Sequence, residues 1–372
     1  MFKKSLVAVA VLGAAAFSAQ AADVTLYGVV DYGFNWTQKD VQGEKTDSFG
    51  LVSGQNAGSR FGLKGVEDLG NGYKVGFNLE NGFNADDGTL GNGGRLFGRE
   101  ALAFVQSGWG ELAFGRTGAL DAGTGRYNLM GSGASAMGTG WQDVGNSTDI
   151  FLGTGDRMDN TVTYQSPNFA GLTVYAQASL KKDKDQTGVE GSSNTDRYYA
   201  LGAKYAVGGF NAGLVVSQTD YARPTLNAAS NKDGDDALVV SAFTNYDFGF
   251  VKPMVAVQYW DGGLEDKDSK VTFRDKLTKG YGVMVGATAP VFGGKLYTTV
   301  GYNDYADDAV DPKTYDGNNF VVGAGYEYSL SKRTMLYTAA GYKQAELDYV
   351  AAGTDTVKTK TTQVMAGMVH KF

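Results

Sequence analysis

Along most of the 372-residue chain, apolar and polar residues alternate one for one. Tyr73, Val75, Phe77 and Leu79 interleave with Lys74, Gly76, Asn78 and Glu80, and Leu172, Val174 and Ala176 with Thr173, Tyr175 and Gln177. The same holds for Val251, Val255, Val257 and Tyr259 against Lys252 and Gln258, and for Tyr281, Val283 and Val285 against Gly280, Gly282 and Met284. A period of two sends successive side chains to opposite faces of a strand, so each segment lies between two different solvents.

The start of the chain supplies a compartment. Met1 to Ala21 has a basic start (Lys3, Lys4), an apolar run from Leu6 to Phe17 and Ala19-Gln20-Ala21 as a cleavage site, the pattern of a secretory signal peptide over residues 1–21. Beyond it, no segment approaches the ~20 consecutive apolar residues that a spanning helix needs. The exported product, residues 22–372, is then either soluble or a transmembrane β-barrel. Scarce Pro, abundant Gly and aromatics, and the lack of any linker favour a single barrel domain. Without Lys3 and Lys4 the chain has 31 basic residues against 40 acidic ones, a surplus of negative charge that argues against nucleic acid as a partner. There is no Cys, which excludes disulfides and thiolate metal sites.

The connections fall into two alternating classes. Tight turns are expected at Gly70–Gly72, Gly108–Gly110, Asn168–Gly171, Val207–Gly209, Phe248–Phe250, Val291–Gly294 and Ser329–Arg333. Long polar loops are expected at 37–58, 85–94, 118–156, 182–196, 220–236, 261–276, 306–319 and 347–358. Seven turns and eight loops join sixteen strands, an even number with both termini on the turn side, as in outer-membrane barrels. Every turn carries an aromatic within or beside it (Tyr73, Trp109, Phe169, Phe210, Phe248, Phe292, Tyr328), which predicts a girdle at one membrane interface. The third loop stands apart. Residues 118–156 form a connection far longer than the ~15 residues a structureless loop usually reaches, and it carries Leu120, Leu129, Met130, Trp141, Ile150 and Phe151. Disorder would leave few large apolar residues, so this loop is expected to fold inward onto the barrel wall.

Several long motifs carry a family resemblance: GSRFGLKGVEDLGNGYKVGFNLENGFN (Gly58–Asn84), RLFGREALAFVQSGWGELAFGR (Arg95–Arg116), RMDNTVTYQSPNFAGLTVYAQ (Arg157–Gln177), LSKRTMLY (Leu330–Tyr337) and the terminal HKF. The mature chain resembles the Gram-negative general diffusion porins, nearest the betaproteobacterial branch. The resemblance implies a sixteen-stranded antiparallel β-barrel, a homotrimer in the outer membrane, with the third outer loop as a constriction. It also implies that the terminal Phe372 is read by the barrel-insertion machinery.

Parity assigns the lumen. With Phe61, Leu63, Leu102, Phe104, Val162 and Tyr164 taken as facing lipid, Arg60, Lys64, Arg95, Arg99, Arg157 and Asp159 face the pore. Loop three supplies Asp121, Asp143, Asp149 and Asp156 against a single Arg126, so carboxylates are expected to oppose an arginine wall. The family pattern supports Arg60, Arg99 and Arg157 as constriction residues. Glu100 and Arg116 fall on the outward face by the same parity, where a charge costs roughly 2 to 4 kcal/mol near the midplane, and are expected in a subunit interface formed by strands 1 to 5 and 16. Nothing in the chain reads as an enzyme or a cofactor site. The lone His370 has no second His or Cys to work with, and Asp233, Asp235 and Asp236, or Asp183 and Asp185, offer at most a weak oxygen site for a divalent cation in the outer loops. The expected function is a passive pore for small hydrophilic solutes and ions, embedded in outer-membrane lipid. A substrate-specific channel and an adhesin acting through its outer loops are the alternatives. Selectivity is expected close to balance with a modest lean to anions.

Overall fold

A strand with one greasy and one wet face is stable only if its edges are paired and its two solvents kept apart, and closing the sheet on itself meets both demands. The computed structural model describes residues 24–142, 144–153, 156–186, 188–222, 236–264, 277–307, 316–348 and 356–372; the signal-peptide segment 1–21 and Asp143, Asp233 and Asp235 lie outside them. Its strands are β1 (Thr25–Val41), β2 (Glu44–Ser53), β3 (Arg60–Gly70), β4 (Tyr73–Gly82), β5 (Glu100–Ser107), β6 (Gly110–Gly118), β7 (Arg157–Gln165), β8 (Leu172–Ser179) and β9 (Arg197–Val207). They continue with β10 (Phe210–Asp220), β11 (Ala237–Tyr246), β12 (Lys252–Leu264), β13 (Leu277–Val291), β14 (Gly294–Asp307), β15 (Asp316–Ser329), β16 (Thr334–Asp348) and β17 (Val357–Lys371). Neighbours pair antiparallel in chain order, and β1 closes the ring against β17 from Val29↔Lys371 to Val41↔Thr359.

Seventeen strands fill sixteen places in the wall. The upper part of β1 pairs with β2 (Tyr32↔Ser53 to Val41↔Glu44) and its lower part with β3 (Thr25↔Lys64 to Val29↔Arg60), so β2 and β3 are one interrupted strand. This corrects the expected loop 37–58. The ladder runs on to Val41, turns at Gln42 and Gly43, both at positive φ, and returns. Both faces of this hairpin are polar and exposed near its tip, which removes the alternation that would have announced it. The interruption at 54–59 is held by Asp31, a fully buried inward carboxylate that accepts the amide N–H groups of Asn56 and Ala57 at 2.7 Å each and the Tyr337 hydroxyl at 2.7 Å.

All seven expected turns are present, and all seven girdle aromatics are exposed, up to 96% for Phe292. At the closure, Phe372 exchanges backbone hydrogen bonds with Gly28 at 3.1 Å in each direction. Its ring lies over that glycine, where a Cβ would stand 2.3 Å from Phe372 Cζ.

Loop three crosses the lumen and rests on the far wall. Val144, Ile150 and Phe151 are at most 1% exposed, against inward positions of β13 to β16 that are largely glycine. Gly286, Thr299, Gly323 and Gly341 are consecutive cross-strand neighbours, and a Cβ on Gly341 would lie 2.7 Å from Val144 Cγ1. Gly301 and Gly282 meet Ile150 in the same way, at 2.7 Å from Cγ1 and 2.6 Å from its carbonyl oxygen. Glycine in a strand interior weakens the strand and marks a close approach by another backbone; here that backbone is the loop. Burial of each large apolar loop side chain contributes about 1.5–3 kcal/mol toward seating it.

The seat generates a first test. Gly301→Leu should push Ile150 off the wall, with an overpacking cost of about 1–3 kcal/mol, seen as new protease cleavage within loop three of the folded barrel and an altered single-channel conductance. Val300→Leu, one residue away on the outward face, should change neither.

Candidate functional site

The site is the narrowed lumen between loop three and the wall of β3 to β7. It is a cavity of about 1060 Å³ lined on the cationic side by Arg60, Lys64, Arg99, Arg126 and Arg157 and on the anionic side by Glu80, Glu100 and Asp156. Glu80 organises the wall. Its carboxylate accepts from Arg99 Nε at 2.6 Å and from the Tyr27 hydroxyl at 2.9 Å, and Arg60 Nε stands 3.6 Å away. Arg60 also donates to the Gly58 carbonyl at 2.8 Å. Arg157 stands within electrostatic reach of Arg99 and Arg116 and makes no ion pair among the described residues, its Nε having no hydrogen-bond partner there. Three guanidinium groups thus converge around one carboxylate, an arrangement that presents uncompensated donors to a passing anion.

The loop is pinned from several sides. On the near wall, Arg126 makes a two-pronged contact with Glu111 (Nε–Oε1 2.9 Å, Nη2–Oε2 2.7 Å) and lies 4.2 Å from the Phe104 ring centroid. Glu100 accepts from the Arg126 amide at 2.5 Å and the Thr117 hydroxyl at 3.0 Å. Two wall glutamines grip loop backbone with both ends of their amides: Gln177 holds Leu120 N–H (3.0 Å) and the Gly118 carbonyl (3.1 Å), and Gln258 holds Leu152 N–H (2.6 Å) and its carbonyl (3.0 Å). Asn303 and Asn245 donate to the carbonyls of Ile150 and Gly133. Buried backbone groups must find partners, and these amides supply them.

Several expected placements change. Leu102 and Phe104 face inward, both 4% exposed, while Ala101 and Ala103 face outward. The reason is the loop: Leu120, Tyr127 and Leu129 put an apolar surface inside the lumen, and the large side chains of β5 pack against it. Glu100 therefore points inward and is buried, not set in a subunit interface. Arg116 follows the β-bulge between Gly115 and Thr117 and folds onto the outer rim, donating to the Gly98 carbonyl and to Asp159 at 2.8 and 2.7 Å. Arg99 does reach the lumen, but from the bend just before β5 rather than by strand parity. Arg95 does not line the cavity; it is tied to Asp159 at 2.8 Å and Asp183 at 3.3 Å, joining the second outer loop to the fourth. Asp159 serves the same junction, accepting also the Lys184 amide at 2.8 Å.

The loop carboxylates divide as well. Asp121 accepts from Tyr198 (2.9 Å) and Ser217 (2.5 Å) on the wall of β9 and β10, and burial pushes its carboxyl upward against the pull of those two donors. Asp149 is 1% exposed and paired with Lys343 of β16 at 2.6 Å. Neither pairs with the arginines; a carboxylate carried into the lumen on a packed loop needs its own donors, and Asp121 finds them on β9 and β10, Asp149 on β16. Asp156 lines the cavity beside Arg157. Asp185 pairs with Lys184. Among the described residues no cluster of three or more His, Cys, Asp or Glu could hold a metal ion.

Comparison with known proteins agrees over the whole length. The profile of the Gram-negative porin family matches residues 8–348. An outer membrane porin protein of Bordetella pertussis is 33% identical over 425 residues, covering all of both chains. Outer membrane porin protein 32 of Delftia acidovorans is 31% identical over 388 residues, again covering all of both. Among solved structures, an anion-selective porin from Comamonas acidovorans superposes with a TM-score of 0.67 at 25% identity, covering 94% of this chain and 100% of that one.

The buried Lys343–Asp149 pair carries a prediction of its own. Removing one partner leaves a charge uncompensated, at a cost on the order of 3–5 kcal/mol. Lys343→Met should therefore lower the apparent melting temperature of the barrel and expose loop three to protease, and adding Asp149→Asn should recover most of the loss. Equal damage from the single and double variants would contradict the pairing.

Proposed function

Because this chain belongs to the Gram-negative porin family and forms a water-filled outer-membrane channel for passive diffusion of small hydrophilic solutes and ions, we propose that the channel leans toward anions through Arg60, Arg99 and Arg157. The observation that carries this reading is the lining of the narrowed lumen, where five cations meet three carboxylates. With Arg126 set against Glu111, the cations still prevail. Whole-chain charge points the other way, but fixed charges beyond a Debye length, ~8 Å at physiological salt, are largely screened, whereas those on the bottleneck act on every ion that passes. The solved relative from Comamonas is described as anion-selective, which supports the same direction.

The assembly is an oligomer of porin type, and we read it as a homotrimer packed through the face of β1 to β6 and β17. What supports that face is its apolar outward row: Phe34 and Phe49 stack at 5.7 Å, and the small Ala101 and Ala103 leave room for a neighbour. The remaining wall meets outer-membrane lipid. Phe372, bound edge-on to β1, is the residue offered to the insertion machinery.

The lean is tested by the zero-current potential of single channels across a salt gradient. Arg60→Ser, Arg99→Ser and Arg157→Ser should each shift the anion-to-cation permeability ratio toward cations by a factor of roughly two to five, the scale of a unit charge acting at several Å through a high effective dielectric. Asp86→Asn on the exposed second loop should leave it in place. Selectivity that follows the outer loop instead would overturn the assignment.

A further inference from the structure

Below loop three, toward the tight turns, the inner face of the barrel carries a second set of cations. Lys64 and Lys74 share the inward parity of Arg60 and Glu80 on β3 and β4, and Lys64 Nζ lies 5.0 Å from the ring centroid of the inward Tyr27. Lys204 follows Gly202 on β9 by one inward step, and Gly202 is the position against which Leu129 of the loop packs. Lys252 precedes Met254 and Ala256 on the buried inner row of β12. Lys295 Nζ lies 4.8 Å from the ring of Tyr297, which itself packs on Trp141 of the loop at 5.4 Å.

None of these five lysines makes an ion pair among the described residues. The carboxylates on the same inner surface are fewer and partly occupied. Glu111 is taken by Arg126, while Asp68, which caps the amide of Gly70, and Glu327, which accepts from Tyr297 and Asn56, keep their charge and stand opposite Lys74 and Lys295 in register, so the five lysines still outnumber them. On the loop side of the strap the inner rows of β13 to β17 present mainly Thr278, Asn303, Asn319, Thr359 and Thr361, and Lys343 is neutralised by Asp149. Fixed positive charge is therefore unevenly placed along the pore axis.

We propose that Lys74, Lys204, Lys252 and Lys295, with Lys64 at the boundary to the narrowed lumen, form a cationic vestibule on the periplasmic side, a second selectivity element in series with the arginine wall. Drawn from five strands around the circumference, they hold anions in the wider half of the lumen where a single wall of charge would be screened. Because screening depends on the salt that bathes the charge, the vestibule makes selectivity depend on which side is dilute. The inference rests on the molecule being an open channel, and the experiment separates the two.

Single channels of the full-length protein, inserted in one known orientation, are compared with a tenfold KCl gradient applied in each direction. Anion preference should be greater when the dilute solution bathes the turn side. The combined variant Lys74→Gln, Lys204→Gln, Lys252→Gln and Lys295→Gln should abolish most of that difference while keeping the preference contributed by the arginines. Equal preference in both orientations of the wild-type protein, or an undiminished difference in the variant, overturns the vestibule. Absence of conductance in the wild type would instead overturn the channel itself. If the variant fails to insert, the orientation dependence of the wild type alone decides.

Discussion

A backbone amide inside a hydrocarbon layer has no water to bond, and each one left open costs several kcal/mol. Everything in this molecule follows from that requirement. It forces the ladder to close from β1 through β17, and it places the long connections at the ends of the strands. It applies again to the one connection that enters the lumen. Among its described residues loop three has little regular structure of its own, a helical turn at Gly131–Ala134 and a 3-10 turn at Ser147–Asp149, so its polar backbone is met by wall amides, chiefly Gln177, Gln258 and Asn303.

The loop in turn reshapes the wall that carries it. Glycines on β13 to β16 give it room, and apolar side chains of β5 turn inward to meet it. The barrel interior is accordingly two environments: dry contact zones where the strap lies on the glycines of β13 to β16 and on the inward apolar side chains of β5 to β7, and a wet arc around Glu80 where Arg60, Arg99 and Arg157 stand. A strap fixed to one side leaves the charged side open, and the pore's chemistry is then set by Glu80 and the guanidinium groups around it rather than by the loop's own acids.

The wall, its turns and the inward course of loop three were legible in the sequence, because lipid on one face and water on the other impose alternation, and because large apolar residues in a long loop demand burial. Arg60, Arg157 and Lys64 were placed correctly by parity. β5 was misread for a physical reason: the rule that large residues face lipid fails where the lumen itself holds an apolar surface, so Leu102 and Phe104 point in and Ala103 points out. The roles of Asp121 and Asp149 were hidden because their partners are far along the chain; Lys343 lies 194 residues from Asp149. Residues 44–48 show no alternation, since both sides of the hairpin tip meet water. The lysines at 74, 204, 252 and 295 were readable by the same parity as Arg60, but each sits on a different strand, and only the closed ring brings them to one surface.

The account turns on loop three lying on the glycine wall with the arginine side left open. The chain has no Cys, so Val144→Cys places a single thiol on the face of the loop that is buried against Gly323 and Gly341. In the conducting channel that thiol should stay unreactive toward a water-soluble methanethiosulfonate, and single-channel conductance and selectivity should not change when the reagent is added, because the wall shields the thiol where the loop rests. Rapid modification with a step in conductance would show that the loop lies elsewhere in the open channel.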